Sequence, residues 1–300
     1  MLQDQLRGTG VALVTPFTTQ ETIDWHSLER LIDHVIKGGV DYVVTLGTTG
    51  ETPTLSSEEK LDLINFTFEK VNKRVPVVVG IGDYNTYDVV KRLETCPLDE
   101  AAAVLSVAPY YSKPTQEGIY QHYKAIAAAS PKPIILYNVP GRTGRNMTAE
   151  TTLRIAKEVE NVIAMKEASG DMIQCMEIIA RKPKGFLVIS GDDAVAFPQL
   201  ACGMDGVISV AANYFAKDFS SMVRAALEEN YTEARRLHYK MLEGFDLMFA
   251  ENNPAGIKAF LHYDKLVENV FRLPVVPVTE SLQSRISAYL KAYNKAGSLV

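Results

Sequence analysis

Lys166 closes the run Val162-Ile163-Ala164-Met165-Lys166, an apolar segment where a lysine is out of place unless it is paired or used. On strand alternation it shares a face with Ala164 and Ala168, side chains small enough to leave room for a ligand beside the amine. Desolvation of a lysine favours the neutral amine, the form that adds to a carbonyl and builds a Schiff base. The same spacing fits a strand-end lysine that reaches water or pairs with Glu167, and spacing alone divides these readings evenly. Tyr137 ends an earlier apolar run, one position before Asn138. Its phenol could act on Lys166 as general acid and base, work typically worth about 10²–10⁴-fold, or it could be an aromatic filling space.

Three loops add polar chemistry. Gly47-Thr48-Thr49-Gly50-Glu51 combines two glycines, two hydroxyls and several free amides, which suits a carboxylate nest or a proton relay as well as an ordinary tight loop. It lacks the GK[ST] ending of a phosphate loop, which argues against nucleotide binding. Arg142, in Gly141-Arg142-Thr143-Gly144, could hold a carboxylate through two parallel hydrogen bonds or stand solvated. Asp192 and Asp193 have no histidine or third carboxylate at ligand spacing. They read as hydrogen-bonding loop residues, and no metal is expected.

Short apolar runs precede these groups along the chain. Candidate strands are Gly10–Phe17, Asp41–Gly47, Pro76–Gly82, Ala103–Pro109, Ile134–Val139, Val162–Ala168, Phe186–Gly191 and Gly206–Ala211. Their nearly continuous apolar character suits parallel strands covered on both faces. Helical spacing marks Trp25–Lys37, Ser57–Asn72, Gln116–Ala129, Thr148–Val159 and Asp171–Ile179, with Asp24 and Thr148 as N-caps. Eight repeats favour closure into a (β/α)8 TIM barrel over a doubly wound sheet. The first strand runs into Thr15-Pro16-Phe17 rather than a dinucleotide-binding GxGxxG. In a barrel the C-terminal strand ends carry the chemistry, and the polar groups collect there. After Ser209 four helical stretches follow without a strand: Lys217–Glu229, Thr232–Phe249, Asn253–Asp264 and Thr279–Asn294. Residues 1–229 are therefore expected to form the barrel and residues 230–300 a three-helix C-terminal appendage packed on it.

The chain has 300 residues, 47% hydrophobic and 22% charged, with a net charge of −5. One barrel plus an appendage fits that length. The charge provides no basic footprint for nucleic acid and no polybasic cluster for a membrane surface. Residues 1–10 lack the pattern of a secretory signal. Cys96, Cys175 and Cys202 are widely spaced and form no CxxC pair, so reduced thiols in a cytoplasmic protein are expected.

Five segments in order, each at a candidate strand end, carry a resemblance: Gly47-Thr48-Thr49-Gly50-Glu51, Pro109-Tyr110-Tyr111, Tyr137-Asn138-Val139-Pro140-Gly141-Arg142-Thr143-Gly144, Lys166-Glu167-Ala168-Ser169-Gly170 and Ser190-Gly191-Asp192-Asp193. Over essentially its whole length the chain resembles the dihydrodipicolinate synthase family, within the pyruvate-dependent class I aldolases. The resemblance implies that Lys166 forms an imine with pyruvate, whose enamine attacks L-aspartate-4-semialdehyde in lysine and diaminopimelate biosynthesis. It implies a proton relay of Tyr137, Thr48 and Tyr111, with Tyr111 entering from a neighbouring subunit. Thr49 and the amide of Ile208 are implied to hold the pyruvate carboxylate, and Arg142 that of the semialdehyde. It further implies no metal, no organic cofactor, and a homotetramer made of two tight dimers.

N-acetylneuraminate lyases and keto-deoxy-sugar-acid aldolases share the imine lysine. An arginine at position 142 marks the synthase branch, whereas a sugar acid would call for a neutral, hydroxyl-binding loop. Many family members are inhibited by lysine. Near the matching positions stand Thr52, Pro53, Lys60, Tyr84 and Asp88, where lysine-sensitive members hold histidine in place of Lys60 and asparagine in place of Tyr84. Weak or absent feedback is expected. Asn252-Asn253-Pro254-Ala255-Gly256 departs from the family pattern and is expected to bear on quaternary detail. The competing class is a non-catalytic barrel that senses keto acids, and nothing in the sequence marks a partner surface for it.

Overall fold

The computed structural model describes residues 2–297. Eight short strands form the centre: β1 Gly8–Ala12, β2 Tyr42–Thr45, β3 Val77–Gly80, β4 Ala103–Val107, β5 Ile134–Asn138, β6 Val162–Glu167, β7 Leu187–Ser190 and β8 Gly206–Ser209. Each pairs in parallel with the next, and β1 pairs with β8 to close the barrel. All eight expected strands are present, each shorter than its apolar run. β1 stops at Ala12 rather than Phe17 because the chain turns away toward Pro16, which has no N–H for a ladder.

Eight helices follow the strands: α1 Trp25–Lys37, α2 Ser57–Val71, α3 Thr86–Thr95, α4 Gln116–Ala129, α5 Ala149–Glu158, α6 Met172–Arg181, α7 Ala196–Ala201 and α8 Ala216–Leu227. The expected caps form: Asp24 accepts from the Ser27 amide, and Thr148 from that of Thr151. α3 and α7 are not marked by the sequence pattern. α3 buries only Val89 and Leu93 of its apolar residues, and α7 is a six-residue piece containing Pro198, so neither builds a long apolar stripe.

Alternation divides the strand side chains between two layers. Ala12, Tyr42, Val44, Leu105, Tyr137, Ala164 and Ile208 fill the barrel interior. Val11, Val43, Val79, Leu136, Met165 and Val207 face the helices. Gly10 is required where Tyr42 crosses the interior, since a Cβ there would lie 2.2 Å from the phenol ring. Three further helices, α9 Tyr231–Phe249, α10 Ala255–Tyr263 and α11 Glu280–Gly297, follow α8 after a short turn. They dock through aromatic contacts: Phe215 lies 5.9 Å from Phe260 and 4.9 Å from Tyr293, centroid to centroid. Among the described residues, no helix is long and apolar enough to cross a membrane.

Candidate active site

Lys166 sits near the C-terminal end of β6, with Tyr137 of β5 and Ile189 of β7 as its strand neighbours. Its residue is only 5% exposed, and Nζ stands 4.4 Å from the centroid of the Tyr137 ring. Among the described residues, no carboxylate lies within ion-pair distance of that amine. Glu167 takes the opposite face of β6 and is spoken for. Its carboxylate accepts from the Ser169 amide at 2.7 Å, Asn138 Nδ2 at 3.0 Å and Gln174 Nε2 at 3.0 Å. Strand alternation thus removes the Lys166–Glu167 pair that spacing left open. Gly191, at the end of β7, makes room for the lysine stem. A Cβ there would meet Lys166 Cε at 2.8 Å and the Ala168 Cβ at 2.7 Å.

The amine opens into a cavity of about 830 Å³ lined by Thr48, Thr49, Tyr137, Arg142, Gly191, Asp192, Asn252 and Asn253 among others. A second cavity of about 560 Å³ lies at the other end of the barrel, beside Asp41, Arg74 and Glu100, and contains none of these groups. Thr48, Thr49 and Gly50 form one 3₁₀ turn after β2, pinned where Thr15 Oγ1 donates to the Gly50 carbonyl at 2.7 Å. Thr48 lines the cavity half-buried. Thr49 is buried, and its Oγ1 accepts from Asn253 Nδ2 at 3.0 Å.

Arg142 belongs to a single helical turn, Pro140–Thr143, that Pro140 starts and Gly144 ends in the left-handed region at φ 69°. Its Nη2 donates to Asn252 Oδ1 at 3.0 Å and to the Asn253 carbonyl at 3.3 Å. Two loops of the barrel mouth therefore meet one turn of the appendage. Asn252 and Asn253, expected from the sequence to bear on quaternary detail, both stand in the cavity wall. Asn253 Oδ1 is buried there without a hydrogen-bond partner.

Two expected site residues are not cavity-lining. Ile208 lies in β8 opposite Gly10, with its side chain in the interior layer; the lining begins two positions later, at Val210. Tyr111 is 89% exposed, on a left-handed backbone at φ 63°, and is not among the residues that line the cavity. Asp193 accepts from Ser209 Oγ at 2.6 Å and from the amides of Val210 and Ala211 at 3.1 and 3.0 Å, which fixes the turn beyond β8. Burial pushes its carboxyl up to about 6. Burial also raises the Asp192 carboxyl, which accepts from the Ala194 amide at 3.2 Å.

A shielded amine, a phenol beside it, two hydroxyls and a guanidinium around one cavity suit covalent capture of a small carbonyl compound that carries a carboxylate. Comparison with known proteins agrees. The profile of the Dihydrodipicolinate synthetase family matches residues 5–293. A protein of Parabacteroides distasonis named 4-hydroxy-tetrahydrodipicolinate synthase is 51% identical over 97% of this chain and 98% of its own. One of the same name from Flavobacterium psychrophilum is 50% identical over 96% of this chain and 98% of its own. Among solved structures, one described as the first monomeric dihydrodipicolinate synthase variant superimposes with a TM-score of 0.94 at 38% identity, covering 97% of this chain and 98% of its own. With a match spanning nearly every residue and relatives at half identity, this chain belongs to the Dihydrodipicolinate synthetase family.

Proposed function

We propose that this chain is a 4-hydroxy-tetrahydrodipicolinate synthase that joins pyruvate to L-aspartate-4-semialdehyde through an imine on Lys166. One observation carries the reading: a buried amine with no carboxylate partner faces a cavity shared with Tyr137, Thr48, Thr49 and Arg142. The amine adds to the pyruvate ketone, and loss of water leaves the imine. Loss of a methyl proton then yields an enamine, with the protonated imine as electron sink. The enamine carbon forms the new bond to the aldehyde carbon. The substrate's own amine displaces the lysine by transimination, which closes the ring and frees Lys166. Tyr137 and Thr48 move the protons. Thr49, in the cavity wall, holds the pyruvate carboxylate, and Arg142 holds the carboxylate of the semialdehyde. A charged guanidinium at that place favours this substrate over a polyhydroxy sugar acid.

Incubation with pyruvate and borohydride should add one pyruvate-derived mass at Lys166 and none to the Lys166→Ala chain. An unmodified native chain would remove the mechanism. Consumption of the semialdehyde without cleavage of N-acetylneuraminate separates synthase from lyase.

The working form is a homo-oligomer of at least two chains, a tetramer of paired dimers, in which Tyr111 completes a neighbour's relay. Its 89% exposure outside its own cavity supports this reading. Mixing inactive Lys166→Ala and Tyr111→Ala chains should restore activity, because the mixed dimer contains one intact site. No recovery, or a fully active monomer in sedimentation, would refute the shared site. We place the barrel in residues 1–229, the appendage in 230–300, and the enzyme in the cytoplasm. Feedback by lysine is weak or absent: Lys60 supplies a cation that would repel a lysine ammonium, and Tyr84 changes size and hydrogen bonding where lysine-sensitive members hold asparagine. Half-inhibition by sub-millimolar lysine would contradict this.

A further inference from the structure

Lys258 of α10 is fully buried, and its ammonium is ion-paired with Glu51, whose side chain is equally buried. The amine also donates to the Val270 carbonyl at 3.0 Å and lies 4.3 Å from the centroid of Phe17 and 4.8 Å from that of Phe271. Glu51 is the residue that closes the Thr48–Gly50 turn, and its backbone is left-handed at φ 52°. A residue other than glycine keeps that conformation only where its surroundings hold it. Its backbone carbonyl accepts locally from Thr54 Oγ1 at 2.9 Å, while its side chain is held by the appendage: Lys258 on one carboxylate oxygen and the Arg272 amide, at 3.4 Å, on the other.

Stability does not account for this arrangement, since a buried ion pair exchanged for apolar side chains is often no less stable. Its position does. Glu51 is two residues from Thr49, and Thr49 is itself tied to the appendage through Asn253. The appendage therefore shares with Thr15 of the barrel in setting the height of the β2 turn against the Lys166 amine.

We propose that Lys258 is a positioning residue for pyruvate capture, holding the Thr48–Thr49 turn in place through Glu51. The proposal deepens the reading of the preceding subsection and depends on it. Arg142 is held by Asn252 and the Asn253 carbonyl and touches neither Glu51 nor Lys258, so loss of the pair bears on pyruvate far more than on the semialdehyde.

The test compares the native chain with Glu51→Gln/Lys258→Met, which removes both charges and leaves none buried alone. Turnover by the native chain establishes the parent reading independently of the variant. In the folded double variant KM for pyruvate should rise by roughly 10–100-fold, the scale of an ångström-size displacement, while KM for the semialdehyde stays within about twofold. An unchanged pyruvate KM, or an equal rise in both, would overturn the proposal. Should the double variant not fold, Glu51→Gln alone decides the matter. It keeps the hydrogen bond to Lys258 and is expected to show a smaller but still pyruvate-specific rise; no rise overturns the proposal.

Discussion

Two lysines are buried among the described residues, and they solve the same physical problem in opposite ways. Lys258 is enclosed completely, and its environment is closed around the charge: a carboxylate, a carbonyl and two ring faces. Burial still lowers its ammonium to about 8, against the opposing pull of Glu51. Lys166 is nearly as buried, but no carboxylate pairs with it and its amine opens onto a cavity. A paired buried lysine is a structural fastening. An unpaired one beside a cavity is free to use its nitrogen. Burial alone does not distinguish the two; the partner does.

The largest expected effect comes from deleting the unpaired amine. Lys166→Ala should lower kcat by about 10⁴–10⁶-fold, the scale of losing a covalent nucleophile, with a thermal midpoint equal to or above the native value. A large stability loss in that variant would place Lys166 with the fastenings. Lys258→Met should do the reverse, costing about 3–5 kcal/mol in denaturant unfolding because Glu51 is left charged and alone.

His122 solves the problem of a buried base in a third way, by staying neutral. It is 3% exposed, its Nδ1 is 2.8 Å from Thr86 Oγ1, and burial lowers it to about 4, with Asp83 pulling weakly the other way. The folded value lies below the unfolded one of about 6.5, so the unfolded chain takes up the proton first. Its contribution is intact above pH 6.5 and is lost as pH falls from there to about 4, a change of about 3 kcal/mol at most. His122→Gln should flatten that part of the stability–pH curve, and an unaltered slope would deny the role. The smallest effect tests placement alone. Gly191→Ala should cut the rate of pyruvate trapping by roughly tenfold, since the added Cβ falls 2.8 Å from Lys166 Cε. A native trapping rate would mean that the lysine stem has more room than the packing implies.

Much of the architecture was legible in the residues. Apolar runs such as Val162–Met165 and Ile134–Leu136 announced buried parallel strands, and Asp24 and Thr148 announced helix starts. Of the helices that escaped notice, α7 is six residues containing Pro198, and α3 is a ten-residue helix with only two buried apolar side chains, Val89 and Leu93. Lys166, Tyr137, Thr48, Thr49 and Arg142 were all recognisable as polar groups at strand ends, and the barrel brings them to one cavity.

Local order along the chain thus determined the eight repeats, the caps and the identity of the amine, because period, capping and strand-end position are properties of neighbouring residues. Only the tertiary structure decided what each charged group pairs with. Glu167 turned away from Lys166, Lys258 met Glu51 across 207 residues, Asn253 met Thr49 across 204, and Asn252 met Arg142 across 110. Contacts between such distant segments depend on how the appendage docks over the barrel mouth, and nothing in the spacing of either segment records that docking.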